Sequence, residues 1–398
     1  MNLDLDDEAR AFRAEVRDWL AAHVPAGGLP PVDTPAGNVA HRAWERELAG
    51  ARLSVVAWPT EYGGRAASAL HWLLFEEEYH AAGAPVRINQ NGLFLLAPTL
   101  FTHGTAEQRA RLLPRMACSD DVWAQAWSEP GAGSDLAAIR SRAERTGGGW
   151  LLHGQKTWSS RACCADRAFG LFRTDPAAGP HRGLTYLMFD LRSTGVTIRP
   201  IRQLGGDDGF AEIFLDGVFV PDEDVLGAAG DGWRVAMSTA GHERGISLRS
   251  PGRFRAAARR LVDLWRKTGD PADGALRDRV VDAWIGAQAY RLHGFAAAGA
   301  AGDEASPFAA SLTKVFWSEL DIALHETALD LLGPRAELPG DWRSGYLFAL
   351  AGPIYAGTNE IQRTVIAERL LGLPRRSPDP PRRPEDQATA ATPPRGPR

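Results

Sequence analysis

Four short groups of residues hold most of the chain's chemical potential. Near the C-terminal end runs Ile354-Tyr355-Ala356-Gly357-Thr358-Asn359-Glu360-Ile361-Gln362-Arg363. Gly357 lets the backbone approach a ligand closely, and Thr358 offers a hydroxyl that can donate to a phosphate oxygen. Upstream, His242-Glu243-Arg244 supplies a carboxylate suited to general-base work, the plainer alternative being a helix-surface glutamate beside an arginine. His242 lies about 100° around a helix from Glu243, so the two do not share a role. Trp127-Ser128-Glu129-Pro130-Gly131-Ala132-Gly133-Ser134-Asp135 is a small-residue turn whose N–H groups and hydroxyls can meet a flat polar ligand. A glycine-rich hairpin loop is the plainer alternative there. Trp158-Ser159-Ser160 sets a large ring beside two hydroxyls, the pairing that a flat redox group requires. With 13 tryptophans in the chain, an ordinary core tryptophan is the competing reading.

The elements that must position these groups change character along the chain. Phe12, Val16, Trp19 and Leu20 form one apolar stripe, which predicts an amphipathic helix over 5–24. Further helices are expected near 38–50, 66–82 and 88–103, with Gly63-Gly64 and Gly83-Ala84-Pro85 as breaks. Glu76-Glu77-Glu78 reads as a solvated helix face. Between Val122 and Val225, short alternating runs separated by glycines predict an antiparallel β-module. Helical periodicity returns from Trp233 to Leu371, where Trp317, Leu320, Leu324 and Leu331 continue an apolar face. The expected class is α+β: an N-terminal helical domain over 1–121, a central antiparallel β domain over 122–231 and a C-terminal helical bundle over 232–373. The Pro- and Arg-rich residues 374–398 read as a disordered tail. No G-x-G-x-x-G follows a strand, which speaks against a doubly wound dinucleotide fold.

Composition narrows the classes further. The chain has 398 residues, 24% of them charged, and a net charge of -4 with no long basic stretch in its body, so nucleic acid is not an expected partner. The longest apolar runs, such as 92–97, fall far short of a membrane span. The first residues are acidic where a secretory leader is basic, and the expected compartment is the cytoplasm. Cys118, Cys163 and Cys164 show no zinc-ligand spacing and no metal is expected; Cys163 and Cys164 read as buried small hydrophobes.

Taken in order, these motifs resemble those of the acyl-CoA dehydrogenases, flavoenzymes that desaturate acyl-CoA thioesters. The stretches that carry the resemblance are Thr102-His103-Gly104-Thr105 through Gln108 to Leu113-Pro114, the turn from Trp127 to Asp135, Gly154-Gln155-Lys156-Thr157-Trp158-Ser159-Ser160 with Ala165-Asp166, Phe219-Val220-Pro221 with Gly232-Trp233 and His242-Glu243-Arg244-Gly245, and the closing stretch. They span residues 102–371. The resemblance implies FAD as cofactor, held by Gln125, Ala126, Trp127, Ser128, Gly133, Ser134, Trp158, Ser159, Ser160, Thr358, Asn359 and Glu360. It implies an acyl-CoA substrate met by Ser134, Gly241, Arg244, Tyr355, Ala356 and Gly357. It also implies an electron-transfer flavoprotein as acceptor, and a homo- or hetero-oligomer built as a dimer of dimers.

Many family members carry the catalytic glutamate directly after the tyrosine of the closing motif, where this chain has Ala356. Members resembling isovaleryl- and long-chain acyl-CoA dehydrogenases carry it instead before an arginine on an earlier helix, and Glu243-Arg244 matches that pair. The resemblance therefore assigns the base to Glu243. Ala356 still retains the backbone N–H that faces the thioester oxygen in the family, where such donors are worth several kcal/mol. Two family elements that reach a neighbouring subunit's FAD, R-x-x-F-G and Q-x-x-G-G, are not found. Asp330 stands where the second has glutamine, and an aspartate there repels a pyrophosphate. These departures leave open a flavin-dependent oxidase or monooxygenase on the same fold, or one subunit of a mixed α2β2 assembly.

Overall fold

A computed structural model describes residues 4–244, 250–299 and 309–374. The tail expected over 374–398 therefore lies, apart from Pro374, outside the described residues. Chain order is helices, then one sheet, then helices. The first helices are α1 (Asp7–His23), α2 (Pro35–Gly50), α3 (Ala69–Ala81), α4 (Ala97–His103) and α5 (Ala106–Ala117), with a π-helical turn over Gly92–Leu96 leading into α4. Starts and stops follow capping chemistry: Asp6 caps α1, Ser68 caps α3, and Thr105 with Gln108 forms a reciprocal capping box on α5. Phe12, Val16 and Leu20 bury one stripe of α1, as the periodicity predicts.

The sheet strands are β1 (Trp123–Ala126), β2 (Arg142–Thr146), β3 (Gly149–Ser160), β4 (Arg167–Arg173), β5 (Leu184–Asp190), β6 (Val196–Ile201), β7 (Phe210–Pro221) and β8 (Val225–Leu226). Their spatial order is β6-β7-β3-β2-β4-β5-β8. Most pairs are antiparallel, but β1 and β2 both run parallel to β4, at opposite ends of it. Sequence alternation does not distinguish the two pairings, so this parallel component goes beyond the expected antiparallel module. One face of the sheet packs Trp123, Phe169 and Tyr186 against the helices, with Leu96, Leu113, Val235 and Ala236. The other face closes its own core on Phe172, Phe189 and Leu152.

The last helices are α6 (Gly232–Arg244), α7 (Pro251–Thr268), α8 (Gly274–Gly299), α9 (Ala309–Leu332), α10 (Asp341–Ala349) and α11 (Asn359–Val365). Trp317, Leu324 and Leu331 are buried in this bundle with Phe254 and Tyr290. α6 and α11 both pack on α9, so that helix links the two.

The acidic triplet corrects the sequence reading. Glu76, Glu77 and Glu78 are all buried rather than solvated. Glu77 accepts ion pairs from Arg13 (3.5 Å), Arg255 (2.8 Å) and Arg291, and Glu78 from Arg13 (2.6 Å) and Arg17 (2.9 Å). Burial pushes the Glu78 carboxyl up, yet the Arg17 and Arg13 guanidiniums together outweigh it and hold the group below its ordinary value. These pairs fasten α1 and α3 to α7 and α8. A single-helix view misses them because the partners come from other helices. The cysteines also differ from expectation: Cys163 is exposed and Cys164 half-buried, because the turn Ala162–Cys164 spends its inward position on Ala162. Among the described residues no helix is long and apolar enough to cross a membrane, and no cluster of three or more His, Cys, Asp or Glu is set to hold a metal.

Candidate active site

The turn after β1 is held from beneath by a buried ion pair. Lys156 is fully buried on β3 and donates to Glu129 Oε1 (2.8 Å), to the Leu171 carbonyl (2.8 Å) and to the Trp127 carbonyl (3.3 Å). Glu129 also accepts from the backbone N–H groups of Arg140 (2.6 Å) and Ser141 (2.9 Å). Burial pushes the Lys156 ammonium down to about 8, with Glu129 opposing the shift. Burial likewise pushes Glu129 up, but Lys156 and the two backbone donors win, and its carboxyl lies below the ordinary range. The Trp127 carbonyl and the Glu129 carboxylate are both held by Lys156, so Trp127 and Ser128 are tethered while Gly131, Gly133 and Ser134 project into solvent. A Cβ at Gly131 or Gly133 would meet nothing within 4 Å, which leaves the turn open to a ligand.

A bulge brings the second group to the same place. The β3–β7 register shifts between Lys156 and Ser159, and Trp158 takes a left-handed φ of 57°. That φ is uncommon for a bulky residue. It throws the indole outward, 60% exposed, with only Phe210 edge-on to it (6.1 Å). The Thr157 N–H donates to the Ser128 carbonyl (2.9 Å), locking the bulge against the turn. Ser159 is buried with its hydroxyl lacking a partner among the described residues, and Ser160 is half-buried beside it. Gln125 and Ala126 form the end of β1 behind the turn. The structure thus gathers Gln125 to Ser128 and Trp158 to Ser160 into one open platform.

Glu243 approaches from α6. Thr239, one turn before it, meets Tyr186 Oη (3.3 Å) and Thr99 Oγ1 (2.9 Å) across the buried seam between α4, α6 and β5. Burial raises the Tyr186 phenol above its ordinary value, its contacts to Thr239 and Trp127 lower it, and the Glu243 charge raises it further. The Glu243 charge is thus felt at Tyr186, whose ring lies edge-on to Trp127 at 6.4 Å. Gly241 offers open space, since a Cβ there would meet nothing within 4 Å. The backbone of Arg244 ends α6, and its side chain lies outside the described residues.

The closing stretch forms a backbone device. Ala356 (φ 57°) and Gly357 (φ 76°) are consecutive left-handed residues between Tyr355 and the cap of α11. Gln362 Nε2 donates to both of their carbonyls (3.2 and 3.4 Å), and no hydrogen bond is formed by either N–H among the described residues. Successive N–H groups in such a turn make an anion-binding concavity. Tyr355 stacks on Trp317 (5.8 Å, 29°) rather than standing free. Thr358 caps α11 by accepting from the Ile361 N–H (3.2 Å), and Glu360 is exposed in the first turn. Asn359 differs from its neighbours: its side-chain oxygen is taken by Lys314 (2.8 Å) and Ser318 (3.1 Å) deep in the bundle. Its side-chain nitrogen points to Glu319 (3.5 Å) and its backbone N–H donates to the Pro353 carbonyl (2.8 Å), so Asn359 is tied inward and anchors the loop. Asp330 pairs with Arg279 (2.6 Å) at the surface, so its charge is partly offset.

Neither the Lys156–Glu129 pair nor the Lys314–Asn359 anchor is apparent from motif reading. The one sequence signal for the first is a lysine at an inward position of an alternating strand.

Known proteins match this chain along most of its length. The acyl-CoA dehydrogenase N-terminal, middle and C-terminal domain profiles match residues 6–120, 124–218 and 230–371. The acyl-CoA dehydrogenase IpdE1 of Mycobacterium tuberculosis is 40% identical over 380 residues, covering 92% of this chain and 98% of that protein. IpdE1 of Mycolicibacterium smegmatis is 41% identical over 392 residues, with the same coverages. Among solved structures, the Tcur3481-Tcur3483 steroid ACAD superposes with a TM-score of 0.84 at 27% identity, covering 94% of this chain and 100% of that one. The ChsE4-ChsE5 complex of Mycobacterium tuberculosis gives 0.81 at 28% identity, covering 95% and 100%. With all three domains matched in order, the chain belongs to the acyl-CoA dehydrogenase family of FAD-dependent oxidoreductases.

Proposed function

We propose that this chain catalyses the α,β-dehydrogenation of an acyl-CoA thioester, with Glu243 as the base. The carrying observation is that the Glu243 charge reaches Tyr186, whose ring meets Trp127 at the platform, while the position directly after Tyr355 holds Ala356 rather than a glutamate. The platform suits FAD: an exposed indole, a buried Ser159 hydroxyl without a partner, and a glycine turn open to solvent are what a flat cofactor with a polar edge would occupy. Residues 125–128, 133–134 and 158–160, with Thr358 and Glu360, would hold it, and Asn359 would anchor the loop beneath. FAD, when bound, supplies the acceptor for the hydride that leaves the substrate β-carbon.

The protein's own part is proton transfer and charge stabilisation. Glu243 takes the α-proton onto a carboxylate oxygen. As it does so, negative charge grows on the thioester oxygen, and the unpaired Ala356 N–H is a preorganised donor for it. One such donor contributes on the order of 3 kcal/mol to the transition state. Ser134, Gly241, Arg244 and residues 355–357 would line the path of the thioester and its CoA portion. Electrons then leave to an electron-transfer flavoprotein, and the cytoplasm is the expected site of action.

A heteromeric assembly is favoured over a lone chain. Asp330 stands at a position expected to face a neighbour's pyrophosphate, and its pairing with Arg279 does not turn it into a donor. The outer face of α8 exposes Val281, Trp284, Ile285 and Leu292, a stripe suited to a partner subunit. The similar ChsE4-ChsE5 complex and Tcur3481-Tcur3483 steroid ACAD support a two-chain enzyme, and the second supports a steroid-derived acyl-CoA as substrate. The test is anaerobic mixing of flavin-loaded protein with a ring-bearing acyl-CoA. Bleaching of the flavin together with a product two hydrogens lighter is expected. A flavin that stays oxidised, with or without a co-purified partner, defeats the proposal.

A further inference from the structure

The closing stretch holds its unusual backbone between two fixed ends. On the entry side the Tyr355 N–H donates to the Ala351 carbonyl (3.1 Å), and the Tyr355 ring stacks on Trp317. On the exit side the Asn359 N–H donates to the Pro353 carbonyl (2.8 Å), and Lys314 holds the Asn359 side chain (2.8 Å). Between these ends lie Ala356 and Gly357, both left-handed. Glycine takes that conformation at no steric cost; alanine does not, so Ala356 needs an outside restraint. Among the described residues the one side chain that bonds either of them is Gln362, whose Nε2 donates to both carbonyls (3.2 and 3.4 Å).

Gln362 is fully buried, one turn into α11. What it meets fixes the orientation of its amide: carbonyl oxygens accept from the NH2 group, whose two hydrogens serve one carbonyl each. The same orientation leaves Oε1 buried with no partner among the described residues. A buried acceptor without a donor works against stability, and an apolar side chain of equal length would not carry one. Packing therefore does not account for an amide at this position, whereas the two donated bonds do. They set the peptide planes on either side of Gly357. Ala356 links the first of these planes to the plane that carries its own N–H. With the Tyr355 end already fixed, the amide of Gln362 decides where that N–H points.

We propose that Gln362 is a positioning residue for the thioester: it holds the left-handed pair so that the Ala356 N–H meets the oxygen on which negative charge develops. This rests on the dehydrogenase reading above and adds to it the side chain that aims the oxyanion donor. Gln362 acts through Ala356 and touches neither substrate nor cofactor in this role. Without its amide, Ala356 relaxes toward the ordinary negative-φ region and its N–H swings off the oxygen.

The test uses the flavin-loaded protein, with any co-purified partner, carrying Gln362→Met, which keeps the length of the side chain and loses both donors. Anaerobic mixing with 3-cyclohexylpropanoyl-CoA gives the limiting rate of flavin reduction and the half-saturating concentration from the same traces. Removing one oxyanion donor slows such a step by about 10²–10³-fold; a misaimed donor keeps part of its effect, so the limiting rate should fall about 10–100-fold. Half-saturation should change by less than about threefold, because the bond strengthens only as charge develops. The second readout is 3-cyclohexyl-3-oxopropanoyl-CoA, which has no β-hydrogen to lose and ionises at its α-carbon. Bound to the variant it should reach half-ionisation about one pH unit higher than on the wild type, a tenfold loss of enolate stabilisation. If Gln362→Met fails to hold flavin, Gln362→Glu, of the same size with at most one donor, takes its place with the same expected directions. A variant that reduces its flavin at the wild-type rate, or one slowed only through half-saturation with half-ionisation unmoved, overturns the inference while leaving the dehydrogenase reading intact. A wild type whose flavin stays oxidised defeats the dehydrogenase reading itself.

Discussion

Replacing Lys156 with methionine isolates what the buried pair beneath the flavin platform does. The methionine fills similar space but deletes three donor contacts, to Glu129 (2.8 Å), Leu171 O (2.8 Å) and Trp127 O (3.3 Å). Glu129 would keep its two backbone donors but lose its only cation in a buried setting. Leaving one buried charge of a pair unmatched costs about 3–5 kcal/mol, and the net value of the pair itself is far smaller. Lys156→Met should therefore destabilise the chain by roughly 3–5 kcal/mol in urea unfolding followed by tryptophan fluorescence. Glu129→Gln in the same background should recover about 2 kcal/mol, because the amide oxygen still accepts from Arg140 or Ser141 without a buried charge. FAD affinity should fall with the first substitution and partly return with the second, since the pair tethers Trp127 and Ser128. A loss below about 1 kcal/mol for Lys156→Met, or a double variant no better than the sum of the singles, would refute the reasoning.

Other expectations follow from the same geometry. Glu77→Gln should cost about 3 kcal/mol, because three arginines lose a buried anion; a solvated glutamate would change thermal stability by less than about 0.5 kcal/mol. Ala356→Gly keeps the backbone donor and relieves a left-handed alanine, so it should raise stability by up to about 1 kcal/mol and retain turnover. Since Glu129 is held below its ordinary range, its stabilisation should be complete above the unfolded value of about 4.3 and lost as pH falls through the lower folded value. Glu129→Gln should flatten that part of the acid-unfolding profile.

What the sequence made legible is what lies in consecutive residues. The turn from Ser128 to Ser134 and the closing stretch around Ala356 carry their geometry locally, in small residues and fixed spacings. The helix–sheet–helix order is similarly local, because apolar periods of 3.6 and 2 belong to single elements. Contacts between distant elements were opaque. Glu77 reads as solvated until Arg255 and Arg291 are brought to it from the C-terminal bundle. Asn359 reads as a cofactor ligand by its place in a motif, yet Lys314, on α9, takes its side chain inward. Trp158 is legible as a residue but not as an outward one, because its left-handed backbone comes from a register shift against β7.

The assignment of the base to Glu243 is tested most directly by the rate of anaerobic flavin reduction in Glu243→Gln. The variant should bind FAD and acyl-CoA as the wild type does but reduce its flavin slower by about 10²–10⁴-fold, the usual contribution of a positioned general base. Undiminished reduction in a variant that still binds both would contradict the account, because Ala356 leaves no carboxylate directly after Tyr355 to take the α-proton.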